Sequence, residues 1–512
     1  MATDSGSRLM LAILQLDALS RPFVDELLAE GRLPTIAGLA ERGEWRSLQT
    51  PASHFTGATQ PTLYSGIELG THAQYYILQW SPEEQRIRFR RSFETPEPTW
   101  DRLARAGRRS LALDPYEGYP PRQAAGVVAS GVQFHNYLGV ERWTWPRAAG
   151  RTIDRLVGRR RPYVEEVFGR PHVPSLLQLR RRLSGAPGRL ADAAAGLLAE
   201  GSFDLVWLTF LSCHIGGHQF WDLSQLDEGS LDESTKRLLE GTLGELYEDV
   251  DRALGRVLNA LPDDADVIVV SPLGMGKNNS RSDFLGQMLG AAIEGTVAPG
   301  SSASVPLWKL RAAVPTQVRG RITQTLGPRL SREIMARTSV AGVNWSKTKA
   351  FVLPSDHNGQ IRLNVRGRER DGIVDPGEAG ELCDRIAAGL LSFRDLDGAP
   401  AIAGVDRVED IVPGDAPARA LLPDLLVRWE ETPSANLEAV VSPEFGRIER
   451  SGQGSGRAGG HTADAWALLV PGRSRVVPVR GDEDVIDVAA TAAALLGGDM
   501  TGLRGTPLLE GY

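Results

Sequence analysis

A chain of 512 residues with 42% hydrophobic and 24% charged residues can bury one large core with insertions, or two to three smaller ones. The formal charge of -7 weighs against a general polyanion binder, so a nuclease is a disfavoured class. Only Cys213 and Cys383 are present, which excludes a disulfide framework.

The N-terminal MATDSGS lacks a basic n-region, and LMLAILQL is too short for a bilayer or a signal peptide; a cytoplasmic protein without a membrane partner is expected. That apolar run is a predicted strand ending at Asp17. Ser20 can cap a helix with Pro22 in its first turn, an apolar face of Phe23, Leu27 and Leu28, and Gly31 at its end. A short helix is predicted from Pro34 to Gly43, and a helix-like stretch runs from Thr56 to Ser65-Gly66. Residues 137–187 break the rhythm with Arg159-Arg160-Arg161, Arg180-Arg181-Arg182 and Trp143-Thr144-Trp145, and read as a basic insertion. Its charge suits either a phosphorylated substrate or a solvated helix face. Another apolar strand precedes His214.

From Asp232 to Leu261, Leu239, Leu243, Leu246, Val250, Leu254, Val257 and Leu261 keep three-to-four spacing, which predicts one long helix delivering the chain to the strand DVIVV. Ser271-Pro272-Leu273-Gly274-Met275 follows. Residues 276–350 read as a cap or lid insertion. AWALLVPG reads as a strand and VIDVAATAAALLGG as a core-facing helix. No tandem repeat is visible. Continuous apolar runs alternating with amphipathic stretches give an α/β class, a mainly parallel sheet flanked by helices in one domain spanning 1–512.

Ligands in such folds bind beyond the carboxyl ends of strands, where Asp17, His214 and Ser271 all fall. His214 and His218 have the i, i+4 spacing that brings two imidazoles to one face of a helical turn, suitable for zinc. One core and one exposed histidine is the plain alternative, and for Asp17 alone a turn or cap role. Cys213 beside His214 reads as a buried thiol before a nucleophile.

The order of these segments resembles the type I phosphodiesterase/nucleotide pyrophosphatase branch of the alkaline phosphatase superfamily. Leu33 to Gly43 matches the LPTIAGLAERG-like segment. Thr56 to His72 keeps the spacing from nucleophilic threonine to histidine, with Ser65-Gly66 in place of a Thr-Gly pair. Gly359 to Glu369, Gly372-Ile373-Val374 and Leu422-Pro423-Asp424-Leu425 resemble a bacterial subgroup's GYIRINLKGRE, GIV and APDL segments. The closing LLGGDMTGLRGTPLLE resembles the family's LLG....GRPL.

The resemblance implies a two-metal phosphoesterase site. Carried over by position, His214, His218 and His461 of GRAGGH hold one ion, with His214 replacing a family aspartate; three imidazoles suit one divalent transition metal, zinc by ligand type. The second ion would keep Asp17 and Thr56. The family's SDHGM, however, has become Ser271 to Met275, so Pro272 and Leu273 replace its Asp-His pair. Without that ion, Thr56 is a poor nucleophile unless Asp17 acts as base. Lys277 is a candidate substitute charge, His357 a candidate substrate contact or turn residue, and Asn278, Asn279 or Asp356 could rebuild the lost ligands. The expected function is a divergent metal-dependent hydrolase or group-transfer enzyme acting on a phosphate ester or related small molecule. The alternative is a noncatalytic small-molecule-binding protein on the same fold.

Overall fold

Strands covered on both faces need no polar alternation, and four of the central runs are buried at every position. The computed structural model describes residues 9–136, 140–164, 166, 172–226, 231–295, 330, 333–334, 336–337, 340, 343–414, 416–450 and 456–511. Within them an eight-stranded sheet is ordered Glu44–Leu48, Ala465–Val470, Asp266–Ser271, Leu11–Leu16, Leu205–Phe210, Ser110–Leu113, Gly126–Ser130, Trp143–Trp145. The five strands from Asp266–Ser271 to Gly126–Ser130 run parallel. Ala465–Val470 and Trp143–Trp145 run against them at either side. The expected mainly parallel, helix-flanked sheet is therefore present. Alternate residues of Leu11–Leu16 serve opposite layers: Ala12, Leu14 and Leu16 pack in one core, Leu11 and Ile13 in another.

Expected helices form at Arg21–Ala29, Pro34–Ala40 and Ile486–Leu496, but Ser20 precedes the first without a side-chain capping bond and the second ends before Gly43. The Thr56 stretch is a single 3-10 turn, Thr56–Ala58, followed by the helix Thr59–Ser65, which Gly66 ends at φ 68°. The long helix expected over 232–261 is instead two, Glu233–Glu240 and Thr242–Leu258. Gly241 lies at the joint and the Thr242 hydroxyl donates back to the Leu238 carbonyl at 2.7 Å, the back-bonding that bends helices.

A second core lies over an antiparallel sheet ordered Ala350–Leu353, Gly359–Leu363, Leu425–Trp429, Ile402–Arg407, covered by helices Ser282–Glu294 and Ala379–Leu391. The GQIRLNVRGRE segment is structural there. Arg362 Nε donates to Glu369 at 2.9 Å, Glu369 also takes Trp80 Nε1 at 2.6 Å, and Arg368 pairs with Asp424 at 2.6 Å.

Of residues 137–187, Trp143–Trp145 extends the main sheet and two helices, Ala149–Val157 and Val173–Ser184, follow. Its arginines bind locally: Arg161 to Asp154, Arg180 to Glu245, Arg182 to the Tyr163 carbonyl. Of residues 276–350, the helix Ser282–Glu294 packs on the second sheet, and 296–329 lie outside the described residues. Among the described residues no helix is long and apolar enough to cross a membrane.

Candidate metal centre

The parallel strand Leu205–Phe210 runs into the helix Ser212–Phe220, whose i and i+4 positions are His214 and His218. Close approach explains the glycines of this segment. A Cβ on Gly217 would stand 2.7 Å from Met275 Cγ, and one on Gly459 only 2.2 Å from the Gly217 carbonyl oxygen. Backbone contact at this point seats the strand Gly459–Thr462 against the helix and carries His461 to the histidine pair. The three rings then lie 4.6, 4.7 and 5.0 Å apart between centroids, inclined by 74–75°. One nitrogen from each lies within 4.8 Å of the other two, and all three residues are buried.

Each imidazole is held from behind through its other nitrogen. His214 Nδ1 contacts Asp17 Oδ2 at 2.6 Å, His218 Nδ1 donates to the Gly459 carbonyl at 2.9 Å, and His461 Nε2 faces Asp356 Oδ2 at 3.2 Å. Partners of this kind fix tautomer and ring orientation in metal-ligating histidines. The remaining nitrogens His218 Nε2 and His461 Nδ1 are buried without a partner among the described residues. An unmet buried polar atom costs about 1–3 kcal/mol, and a cation between the rings removes both deficits.

At two of the three imidazoles the protonation state agrees with that fit. Burial lowers the pKa of His218 well below the ordinary histidine value, and Arg457 and its histidine neighbours add to this; burial also leads the lowering at His461. Both present lone pairs. Burial acts the same way on His214, but the adjoining Asp17 carboxylate overrides it and raises that pKa. Asp356 is held well below the usual carboxylate range: burial opposes this, and the Arg457 and His461 contacts overcome it.

Thr56, Gly57, Gln60, Tyr76, Tyr116, Glu117, Leu273, Asp356, Arg457 and the two outer histidines line one cleft. Asp17 stands behind His214, outside the three-nitrogen group: its Oδ1 accepts from Gln60 Nε2 at 2.7 Å and from Gln15 Nε2 at 3.3 Å. The position that would complete a second ion is apolar. Leu273 is 3% exposed in a cluster with Ala18, Ala52 and Met275, and Ser271 Oγ is committed to backbone groups of Leu19 and Leu273. Neither Pro272 nor Leu273 carries a side-chain atom that could ligate a metal.

Lys277 departs from the sequence expectation. It is the exposed last residue of the strand Gly274–Lys277 and does not line the cleft, because the antiparallel pairing with Gly459–Thr462 carries it past the buried Met275. His357 is also outside the lining. Its carbonyl accepts from Trp429 Nε1 at 2.9 Å and from Ser280 Oγ at 2.9 Å, a turn role, and burial pushes its pKa down to about 4. Asn278 Nδ2 holds the Arg457 carbonyl at 2.8 Å, so it supports the histidine strand rather than offering a ligand.

Sequence reasoning missed Tyr116, Glu117, Glu166 and Arg457. Tyr116 packs its ring 4.8 Å from His214, and Arg90 reaches Glu117 at 2.8 Å while donating to the Gly57 carbonyl at 2.9 Å. The position of Tyr116 and Glu117 just beyond the strand Ser110–Leu113 was a usable signal. For Glu166, in the basic insertion, no sequence signal pointed to the cleft.

No curated protein matches the chain. Among solved structures, wild-type alkaline phosphatase PafA is 12% identical over 98% of each chain, with a TM-score of 0.51. Phosphonoacetate hydrolase from Sinorhizobium meliloti 1021 is 13% identical over 96% of each chain, with a TM-score of 0.45. Murine ectonucleotide pyrophosphatase/phosphodiesterase 5 is 12% identical over 98% of this chain and 100% of its own, with a TM-score of 0.46. At such identities the likeness to PafA speaks for the fold alone. The sequence itself goes further: residues 11–432 match the family described as Type I phosphodiesterase / nucleotide pyrophosphatase, a span that holds Asp17, Thr56, His214 and His218 and stops short of His461. A match over that much of the chain makes it a member of the type I phosphodiesterase/nucleotide pyrophosphatase family.

Proposed function

We propose that the protein is a metal-dependent hydrolase or group-transfer enzyme for a phosphate ester or related small molecule, working with one transition metal held by His214, His218 and His461. The observation that carries this reading is the pair of buried nitrogens, His218 Nε2 and His461 Nδ1, that lack a partner among the described residues, in a group of three imidazoles that reaches the Thr56 cleft. Zinc in that position supplies Lewis acidity toward a phosphoryl oxygen and raises the acidity of water. The chain's own groups do the rest. Asp17 fixes the His214 tautomer, Thr56 presents a hydroxyl at the cleft wall, and Tyr76, Tyr116 and Leu273 exclude water from it. Because Pro272 and Leu273 bring no ligand, Thr56 orients or binds substrate without activation by a second ion, and ordinary phosphodiester turnover is expected to be weak. A cytoplasmic location belongs to the same proposal, supported by the two buried unpaired cysteines.

A second reading, a noncatalytic binding protein, draws support from the apolar packing of Leu273 with Ala18, Ala52 and Met275 where the family places metal chemistry. Elemental analysis of protein purified without added metal, run beside a panel of phosphomonoesters and phosphodiesters, separates the two. One ion with measurable turnover supports the enzyme; one ion or none without turnover on any substrate supports the binding protein.

A further inference from the structure

The two carboxylate-histidine pairs of the centre are anchored differently. Asp17 leaves the rigid end of the central strand Leu11–Leu16 and is pinned by Gln60 and Gln15. Asp356 sits in the connection between the strands Ala350–Leu353 and Gly359–Leu363 of the other sheet, and no main-sheet strand fixes it. Its second oxygen, Oδ1, is instead held by Arg457 Nη1, four residues before His461 on the same strand approach. Arg457 is in turn clasped by Glu166, which accepts from Nε at 2.6 Å and from Nη2 at 3.1 Å. Glu166, Arg457, Asp356 and His461 thus form a chain of contacts running from the basic insertion across the cleft to the third imidazole.

We propose that Arg457, backed by Glu166, is a positioning residue for the metal centre: it holds Asp356 in the orientation that braces His461. The planar fork of a guanidinium suits this task, since it binds one carboxylate through two nitrogens and still reaches a second in a fixed direction. A lysine in its place supplies the charge without that geometry. The inference rests on the metal reading of the three histidines, and it gives the insertion of 137–187 a part in the site through Glu166.

Zinc affinity, measured by competition with a chromophoric chelator, and the visible absorption of the cobalt(II)-substituted protein test it. Loss of a partner behind a ligating histidine costs about 10–100-fold in metal affinity. Arg457→Gln and Asp356→Asn are expected to lose that much and to alter the cobalt spectrum. Glu166→Gln, one link further out, is expected to lose about threefold, and Arg457→Lys to recover part of the Arg457→Gln loss. Should Arg457→Gln fail to fold, Glu166→Gln and Arg457→Lys carry the test alone. Wild-type protein that binds no zinc or cobalt would remove the metal reading itself. Wild-type binding together with unchanged affinity and spectrum in Arg457→Gln, or in the two substitute variants, would overturn the positioning role and leave the metal reading standing.

Discussion

Two corners of one cleft are built from opposite chemistry. At the first, the ends of Leu205–Phe210 and Gly459–Thr462 bring three imidazoles together, each with a partner behind it and two with a bare nitrogen in front. At the second, the end of Asp266–Ser271 delivers Pro272 and Leu273, and Leu273 packs into an apolar cluster. The comparison sets a buried imidazole cluster at one strand end against hydrophobic packing at the other. It also shows where Asp17 belongs. Its carboxylate is engaged by His214, Gln60 and Gln15, and so braces the first corner.

The largest expected effect comes from cutting into the first corner. His218→Ala or His461→Ala leaves two protein ligands and is expected to abolish stoichiometric zinc, read by elemental analysis after gel filtration. Retention of one ion per chain in both variants would break the assignment of ligands. Rebuilding the second corner comes next. Pro272→Asp combined with Leu273→His is expected to move metal content from one ion toward two and to raise phosphodiester turnover, at a stability cost of about 2–5 kcal/mol for the lost apolar packing. A double variant with unchanged metal content would show that Asp17 stays with His214 even when a second site is offered.

A smaller effect concerns acid. In metal-free protein His218, His461 and His357 are buried with lowered pKa values, so the unfolded chain binds more protons below its ordinary histidine pKa of about 6.5, and stability falls as pH drops below that value. For His357, whose pKa lies at about 4, the contribution lost between the two values is about 3 kcal/mol. The raised pKa of His214 acts the other way, adding stability that is full below about 6.5 and lost as pH climbs through its folded value. Denaturant titrations of metal-free protein across this range are expected to show a net decline toward acid, reduced in His357→Gln. A flat profile would contradict the buried neutral states. The smallest effect is Lys277→Ala, an exposed rim residue, expected to change metal content and turnover less than about twofold.

The class of fold was legible because parallel, doubly covered strands write themselves as continuous apolar runs, as in LAILQL and DVIVV. The histidine corner was legible because i, i+4 spacing is local, and the late His461 came from segment order in the resembling family. What escaped was set by contacts between distant segments. The sequence put Lys277 near the gap, but it ends the strand Gly274–Lys277 exposed, paired with the distant strand Gly459–Thr462. The cation that does line the cleft is Arg457, and its carboxylate partners come from 291 and 101 residues away. The break at Gly241 needed a side-chain bond, Thr242 to Leu238, that periodicity does not register.

The most direct test of the account is the number of ions that wild-type protein carries when purified without added metal, measured together with turnover of a phosphodiester. The account expects one transition metal per chain and weak phosphodiester turnover. Two ions per chain with robust turnover would contradict it.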